Sequence, residues 1–111
     1  MIFKQFDIWL ANLSPGLGTE PGKIRPVVIV QTDLLNETNS STIVCPITTN
    51  VKKDFELLRV HLNKNQLDKL SDILVDQIRA IDNKRFLKRI SRLNKEQQLK
   101  LKENLKIVLD L

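Results

Sequence analysis

The run Pro26-Val27-Val28-Ile29-Val30-Gln31-Thr32 is β-branched and apolar at successive positions, so it presents an apolar surface on both faces. It is expected to form a central strand, with Pro26 at its first position, where a missing N–H is tolerated. A chain of 111 residues around such a strand fits one compact domain, residues 1–111. Only 5% of the residues are aromatic, with no Tyr, one Trp and four Phe, whereas 41% are apolar. The core must therefore be built mainly from Ile, Leu and Val.

Further strands are expected at short spacing. Residues 6–12 alternate, with Phe6, Ile8 and Leu10 on one face and Trp9 and Ala11 on the other. Residues 41–49 form a third strand, in which Pro46 marks an edge or a bulge. Residues 56–62 make a fourth, and residues 73–81 a fifth that ends in a turn at Asp82-Asn83-Lys84. Residues 86–93 suit a strand or a helix, and a short strand after a helical turn is the better fit. One helical turn is expected at Asp33–Asn36 and a short helix at residues 66–70. Lys95–Leu109 reads as a helix. Asn94 can cap it, and Gln97 stands where a capping box takes Glu or Gln. Leu101, Leu105, Val108 and Leu109 recur at helical spacing as its apolar stripe. Five or six short strands and one terminal helix imply a mainly β (α+β) fold, a small β-barrel with a C-terminal helix packed on it.

Lys and Arg total 18 against 13 Asp and Glu, a formal net charge of +5 with an isoelectric point near 9.6. A basic small domain attracts polyanions, although many proteins this basic bind none. Cys45 is the sole cysteine and His61 the sole histidine, so the chain can form neither an internal disulfide nor a Cys/His metal cluster. Cys45 lies in the apolar run Ile43-Val44-Cys45-Pro46-Ile47, the setting of a buried structural thiol. The N-terminal residues lack the apolar segment of a signal peptide, and no run approaches a membrane span, so a cytoplasmic location is expected. A domain of this size buries a modest share of its surface, which makes oligomerisation a natural source of stability.

Between the first two strands, Ser14-Pro15-Gly16-Leu17-Gly18-Thr19-Glu20-Pro21-Gly22-Lys23 holds all three glycines and two of the four prolines. It is a long loop for so small a domain, and such loops often carry function. The residues around it resemble a known family. Asp7-Ile8-Trp9-Leu10-Ala11-Asn12-Leu13-Ser14-Pro15, the loop Gly18-Thr19-Glu20-Pro21-Gly22-Lys23 and then Arg25-Pro26-Val27-Val28-Ile29-Val30-Gln31 are similar to the opening of the MazF/PemK toxins. Cys45-Pro46-Ile47-Thr48-Thr49 resembles their third-strand motif, and Val75-Asp76-Gln77-Ile78-Arg79-Ala80-Ile81-Asp82 their fifth-strand motif. The terminal helix also sits where that family has one, and the likeness runs in order over essentially the whole chain.

The resemblance implies an SH3-like β-barrel that forms a homodimer. It implies an endoribonuclease toxin of a type II toxin–antitoxin system, cleaving single-stranded RNA at selected sequences. A cognate antitoxin protein would silence it by laying a flexible tail across the RNA site. Position by position, the family's catalytic arginine falls on Arg25 and its catalytic threonine on Thr48.

These residue types suit that chemistry. A guanidinium at Arg25 can grip a phosphate with two donors and stabilise the charge that grows on its oxygens. Taken without the resemblance, an ordinary surface arginine is the better reading. The Thr48 hydroxyl can donate to a reacting phosphate, though a strand-end threonine bonded to a turn is common. Thr49 is chemically identical, but strand neighbours face opposite ways, so only one of the two is expected at the site. RNA carries its own nucleophile, the 2′-OH, so cleavage needs positioning and charge and no metal or other cofactor. The expected products are a 2′,3′-cyclic phosphate and a 5′-hydroxyl.

RNA-binding roles are expected for Leu17 against a base, Glu20 on an arginine or a base edge, and Lys23 on a phosphate. Gln77 is expected to read a base and Asp76 to orient Arg25 or Arg79, both from the fifth strand, with an ordinary surface pair as a serious rival. Some family members carry an arginine two positions before this Asp. Here that position is Leu74, and Arg79 is the expected compensation. His61 is expected to be structural or at the surface, and Arg85, Lys88, Arg89 and Arg92 are as well explained by a solvated face as by RNA. Two other functions fit the fold. A topoisomerase-directed toxin of the CcdB type depends on a C-terminal tryptophan, whereas this chain ends Val108-Leu109-Asp110-Leu111 and its one tryptophan is Trp9. A non-catalytic RNA-binding barrel would use the same surface, but aromatic stacking platforms are scarce in this composition.

Overall fold

The computed structural model describes residues 2–19, 22–64 and 66–111. Among them the elements run β1 Asp7–Asn12, β2 Ile24–Ile29, α1 Asp33–Asn36, β3 Ser41–Thr48, β4 Arg59–Leu62, β5 Ser71–Leu74, β6 Arg79–Asp82, β7 Phe86–Arg92 and α2 Lys95–Leu109. Short 3-10 turns at Val75–Gln77 and Asn83–Arg85 lead into β6 and β7. Every pairing is antiparallel, in the order β4-β5-β3-β2-β1-β7, with β6 also against β3. No β4–β7 pairing closes the ring among the described residues. The fold is therefore mainly β with a C-terminal helix, as expected, but the sheet is open and "barrel" describes it only loosely.

β2 is central and is buried on both faces. Val27 and Ile29 enter a core with Phe3, Trp9, Ala11, Val44 and Phe86, while Val28 points into the other core with Ile8, Cys45, Ile47 and Ile73. The strand begins at Ile24, so Pro26 is its third residue and not its first. The ladder to β3 reaches only from Ile29 to Val27, so Pro26 lies just beyond it and that edge loses no bond. Phe6 precedes β1, with a left-handed backbone (φ 72°), and still packs with Ile8.

β3 changes partner along its length. Its Ser41–Val44 half pairs with β6, and Ile47 and Thr48 pair with β5. Pro46 falls in the gap between the two, which is why a residue without an N–H is accommodated in an interior strand. The same handover divides the expected fifth strand. Residues 73–81 are β5, a 3-10 turn and β6, because the chain must cross from one half of β3 to the other. The helix expected at residues 66–70 is not formed there among the described residues, where the backbone makes turns and bends. Gln66 is instead bonded across to Gln97 and to the Arg92 carbonyl.

α2 carries the capping box as expected: Asn94 Oδ1 accepts from the Gln97 N–H at 2.8 Å, and Gln97 Oε1 accepts from the Asn94 N–H at 3.0 Å. Leu101 is fully buried, worth roughly 2 kcal/mol of transfer free energy, with Leu105 and Val108 packed beside it. Leu109 is 46% exposed and falls outside the stripe. Buried Asn104 donates through Nδ2 to the carbonyls of Glu56 at 3.0 Å and Arg59 at 3.3 Å, fastening the entry to β4 onto the helix. On β7, Arg92 and Arg89 reach the buried Asp7 carboxylate at 2.8 and 3.1 Å, and Arg85 donates to the carbonyls of Asn12 and Ser14. Three residues of the basic stretch thus tie β7 to β1 and to the root of the long loop. No described helix is long and apolar enough to cross a membrane.

Candidate functional site

β2 and β3 pair in a register that sets Val27 opposite Pro46. The ladder stops there: Arg25 lies two residues before Val27, where the long loop enters β2, and Thr48 lies two residues after Pro46, where β3 ends. Both residues line one cleft of about 430 Å³, and so do Asp76 and Gln77. Four of the residues expected at the site therefore meet there, although they come from three separated stretches of chain.

Arg25 is half-buried, and its Nε donates to the Gly22 carbonyl at 2.8 Å. Among the described residues its two terminal nitrogens carry no hydrogen bond. The loop that supplies this carbonyl is clamped at its base. The Lys23 N–H donates to Ser14 Oγ at 2.8 Å, and the Lys23 carbonyl accepts from the Leu13 N–H at 2.8 Å. Lys23 makes this turn with φ 66°. Gly22 packs against the opposite limb: a Cβ there would lie 2.6 Å from the Gly16 backbone nitrogen, so only glycine fits without movement.

Thr48 Oγ1 accepts from the Asn50 N–H at 3.1 Å, which fixes the side chain and leaves its own O–H free to donate. Thr49 lines a smaller neighbouring cleft with Lys23 and Ile47, so the two threonines do face different ways. Asp76 and Gln77 project from the Val75–Gln77 turn and not from a strand, since Val75 is buried in the core and the sheet breaks there. No hydrogen bond or ion pair joins Asp76 to Arg25 among the described residues; the Gly22 carbonyl does the orienting.

The other expected residues lie elsewhere. Leu17 is 76% exposed and does not line the cleft, to which the described part of the loop contributes Thr19. Lys23 belongs to the smaller cleft that shares Arg25. Glu20 lies outside the described residues. Arg79 sits on β6 opposite Val44 and does not line the cleft. Arg59 stands opposite Leu74 across β4 and β5 and lines the same cleft.

Arg59 Nη1 bonds the Asn50 carbonyl and Asp72 Oδ2, each at 3.0 Å. The Asp72 side chain is fully buried and also accepts from the Lys52 N–H at 2.9 Å and meets His61 Nδ1 at 2.5 Å. His61 Nε2 lies 3.3 Å from Glu56 Oε1. The bond to Asp72 raises the His61 pKa above its ordinary value; partial burial opposes this, and the charges of Asp72 and Glu56 add to it. His61 faces a second cleft, between β4 and α2, and does not line the one holding Arg25. Cys45 is buried, and burial, with a smaller contribution from the Asp76 charge, pushes its thiol up to about 12.

Lys52, Phe55 and Arg59 do not stand out in the sequence, yet all three line the cleft with Arg25. The available signals are a lone aromatic in the polar segment after Thr49 and an arginine interrupting an apolar strand. Among the described residues the cleft is lined by Arg25, Lys52 and Arg59 and by one carboxylate, Asp76, while the buried Asp72 pairs with Arg59 from behind. Such a cleft suits a phosphodiester, with guanidinium and ammonium donors and a hydroxyl on its lining.

A family model described as PemK-like, MazF-like toxin of type II toxin–antitoxin system matches residues 4–109. Endoribonuclease EndoA of Bacillus subtilis (strain 168) is 36% identical over 113 residues, covering 100% of this chain and 97% of that protein. Endoribonuclease MazF of Staphylococcus epidermidis is 37% identical over 112 residues, covering 99% and 93%. The crystal structure of MazF from Deinococcus radiodurans superposes with a TM-score of 0.87 at 19% identity, covering 100% of this chain and 99% of that one. The same shape recurs in a MazE–MazF structure from that organism, with a TM-score of 0.82 at 18% identity over 100% and 99% of the two chains.

Proposed function

The chain belongs to the PemK-like, MazF-like toxins of type II toxin–antitoxin systems, and from that premise we propose that it is an endoribonuclease whose reaction centre is the Arg25–Thr48 pair. The observation that carries this reading is the meeting of Arg25 and Thr48, from β2 and β3, inside one cleft that Lys52 and Arg59 also line. The substrate is single-stranded RNA. Its 2′-oxygen attacks the adjacent phosphorus, the bond to the 5′-oxygen breaks, and the products are a 2′,3′-cyclic phosphate and a 5′-hydroxyl. The terminal nitrogens of Arg25 stabilise the charge on the phosphoryl oxygens, and the Thr48 O–H donates to one of them. Arginine titrates far above neutral pH and threonine is a poor acid or base, so both act by positioning and charge. The reaction needs no metal.

The protein acts in the cytoplasm as a homodimer of one toxin domain and is neutralised by a cognate antitoxin. A protein of this shape has been solved as a MazE–MazF pair, which supports the antitoxin. A cationic cleft also suits an acidic, disordered segment that orders on binding.

The test is incubation of the purified protein with a long single-stranded RNA in excess EDTA, beside Arg25→Ala and Thr48→Ala, with the fragment ends mapped. Discrete cuts with cyclic-phosphate ends, lost in both variants, are expected. Intact RNA with well-folded wild type overturns the nuclease reading, and cutting only after a divalent ion is restored overturns metal independence.

A further inference from the structure

Four of the five aromatic rings are interior: Phe3, Phe6 and Trp9 are each 6% exposed and Phe86 is 2% exposed. Phe55 is 46% exposed and lines the cleft that holds Arg25 and Thr48. Single exposed apolar residues are common, so exposure alone means little. The position is what matters: the one exposed ring stands beside the reaction centre. The Lys52 ammonium lies 5.6 Å from its centroid, a cation over the ring.

Arg59, on the same wall, is only 12% exposed in its side chain and is held through Nη1 alone. Its Nε and Nη2 carry no hydrogen bond among the described residues. The buried Asp72 carboxylate fixes the guanidinium, and Asn104 of α2 fastens the backbone at Glu56 and Arg59. The wall is thus prearranged, which lowers the entropy lost when a flexible strand is bound.

We propose that Phe55 and Arg59 form a nucleotide subsite beside the reaction centre, in which one base of the RNA stacks on the Phe55 ring and Arg59 takes an adjoining phosphate. The subsite rests on the reading of this cleft as an RNA site. Stacking tolerates any base, so the pair sets affinity and places the strand without choosing its sequence.

The test uses the full-length protein and an RNA with a 2′-deoxy sugar at the cut. Phe55→Trp supplies a fluorescent ring in the subsite, since the native Trp9 is buried. RNA is expected to quench the new emission. With cleavable RNA, Phe55→Leu is expected to raise KM about ten-fold, with kcat and the cut sequence unchanged and Phe55→Trp restoring KM. Arg59→Lys, which keeps a cation beside Asp72, is expected to raise KM and to lose the sensitivity of wild type to an uncharged methylphosphonate at the adjoining phosphate. An unchanged KM in Phe55→Leu, or RNA binding without quenching in Phe55→Trp, overturns the stacking; an unchanged KM in Arg59→Lys overturns the phosphate contact. If those failures accompany normal cleavage, the nuclease reading stands without the subsite. Quenching by RNA that wild type never cuts leaves the subsite standing and removes the nuclease. No RNA binding by wild type removes both.

Discussion

The Gly22 carbonyl accepts the Arg25 Nε proton at 2.8 Å, while a side chain on the same glycine would run into the Gly16 backbone. One residue thus closes the two limbs of the long loop on each other and aims the guanidinium. Loop shape and arginine position are a single variable.

Gly22→Ala tests this. A methyl group there must push Gly16 away or move the Gly22 carbonyl, and either displaces Arg25. Cleavage is expected to fall by about 10²-fold, since a misplacement on the order of 1 Å costs that much. Far-UV circular dichroism and thermal midpoint should change little, because the loop lies outside both cores. Full activity in the variant would show that Arg25 is held by other means.

His61 predicts a pH dependence of stability. Its folded pKa is raised, first by the bond to Asp72. Its contribution is therefore fully present below the ordinary imidazole value of about 6.5 and is lost as pH rises through the higher folded value. The thermal midpoint of wild type should exceed that of His61→Gln most clearly near about pH 6, and the gap should narrow toward about pH 9. Parallel curves for the two proteins over that range would remove the ion pair as a source of stability.

Cys45 is expected to be inert in the native protein. Burial holds its thiol near about 12, so almost no thiolate exists at neutral pH. A disulfide reagent should label it only after denaturation, at the rate of global unfolding. Rapid labelling of folded protein would mean that β3 opens locally.

Antitoxin binding should weaken as salt rises. The cleft presents Arg25, Lys52 and Arg59 against Asp76, and an acidic tail laid across it would be screened within about 10 Å at roughly 0.1 M salt. Calorimetric titration at increasing ionic strength measures this, and an affinity indifferent to salt would rule out a charged tail as the main contact.

Several of these features are legible in the amino-acid sequence. β2 reads as central because apolar residues fill both of its alternating faces, and α2 reads from its capping box and from Leu101 and Leu105. The choice of Thr48 over Thr49 follows from motif position, and strand alternation requires that only one of them face the cleft. The break in residues 73–81 leaves a fainter trace. Ile73 and Val75 keep a spacing of two, but the next core residues are Ile78 and Ile81, so the phase slips where the 3-10 turn lies. Arg59 is hidden for a different reason. Its role depends on standing opposite Leu74 and on a carboxylate thirteen residues away, a pairing that no local pattern encodes. The helix expected at residues 66–70 fails because Gln66 is engaged by α2, a tertiary demand that overrides local propensity.

β7 pairs with β1, and Arg92 reaches back 85 residues to the Asp7 carboxylate. During synthesis β1 therefore emerges long before its partner on that edge. Its outer N–H and C=O groups stay open until residues 86–92 arrive, and contacts at such separation place the chain among slow-folding topologies. The interval before that pairing is one in which a chaperone or a waiting partner meets an open strand edge.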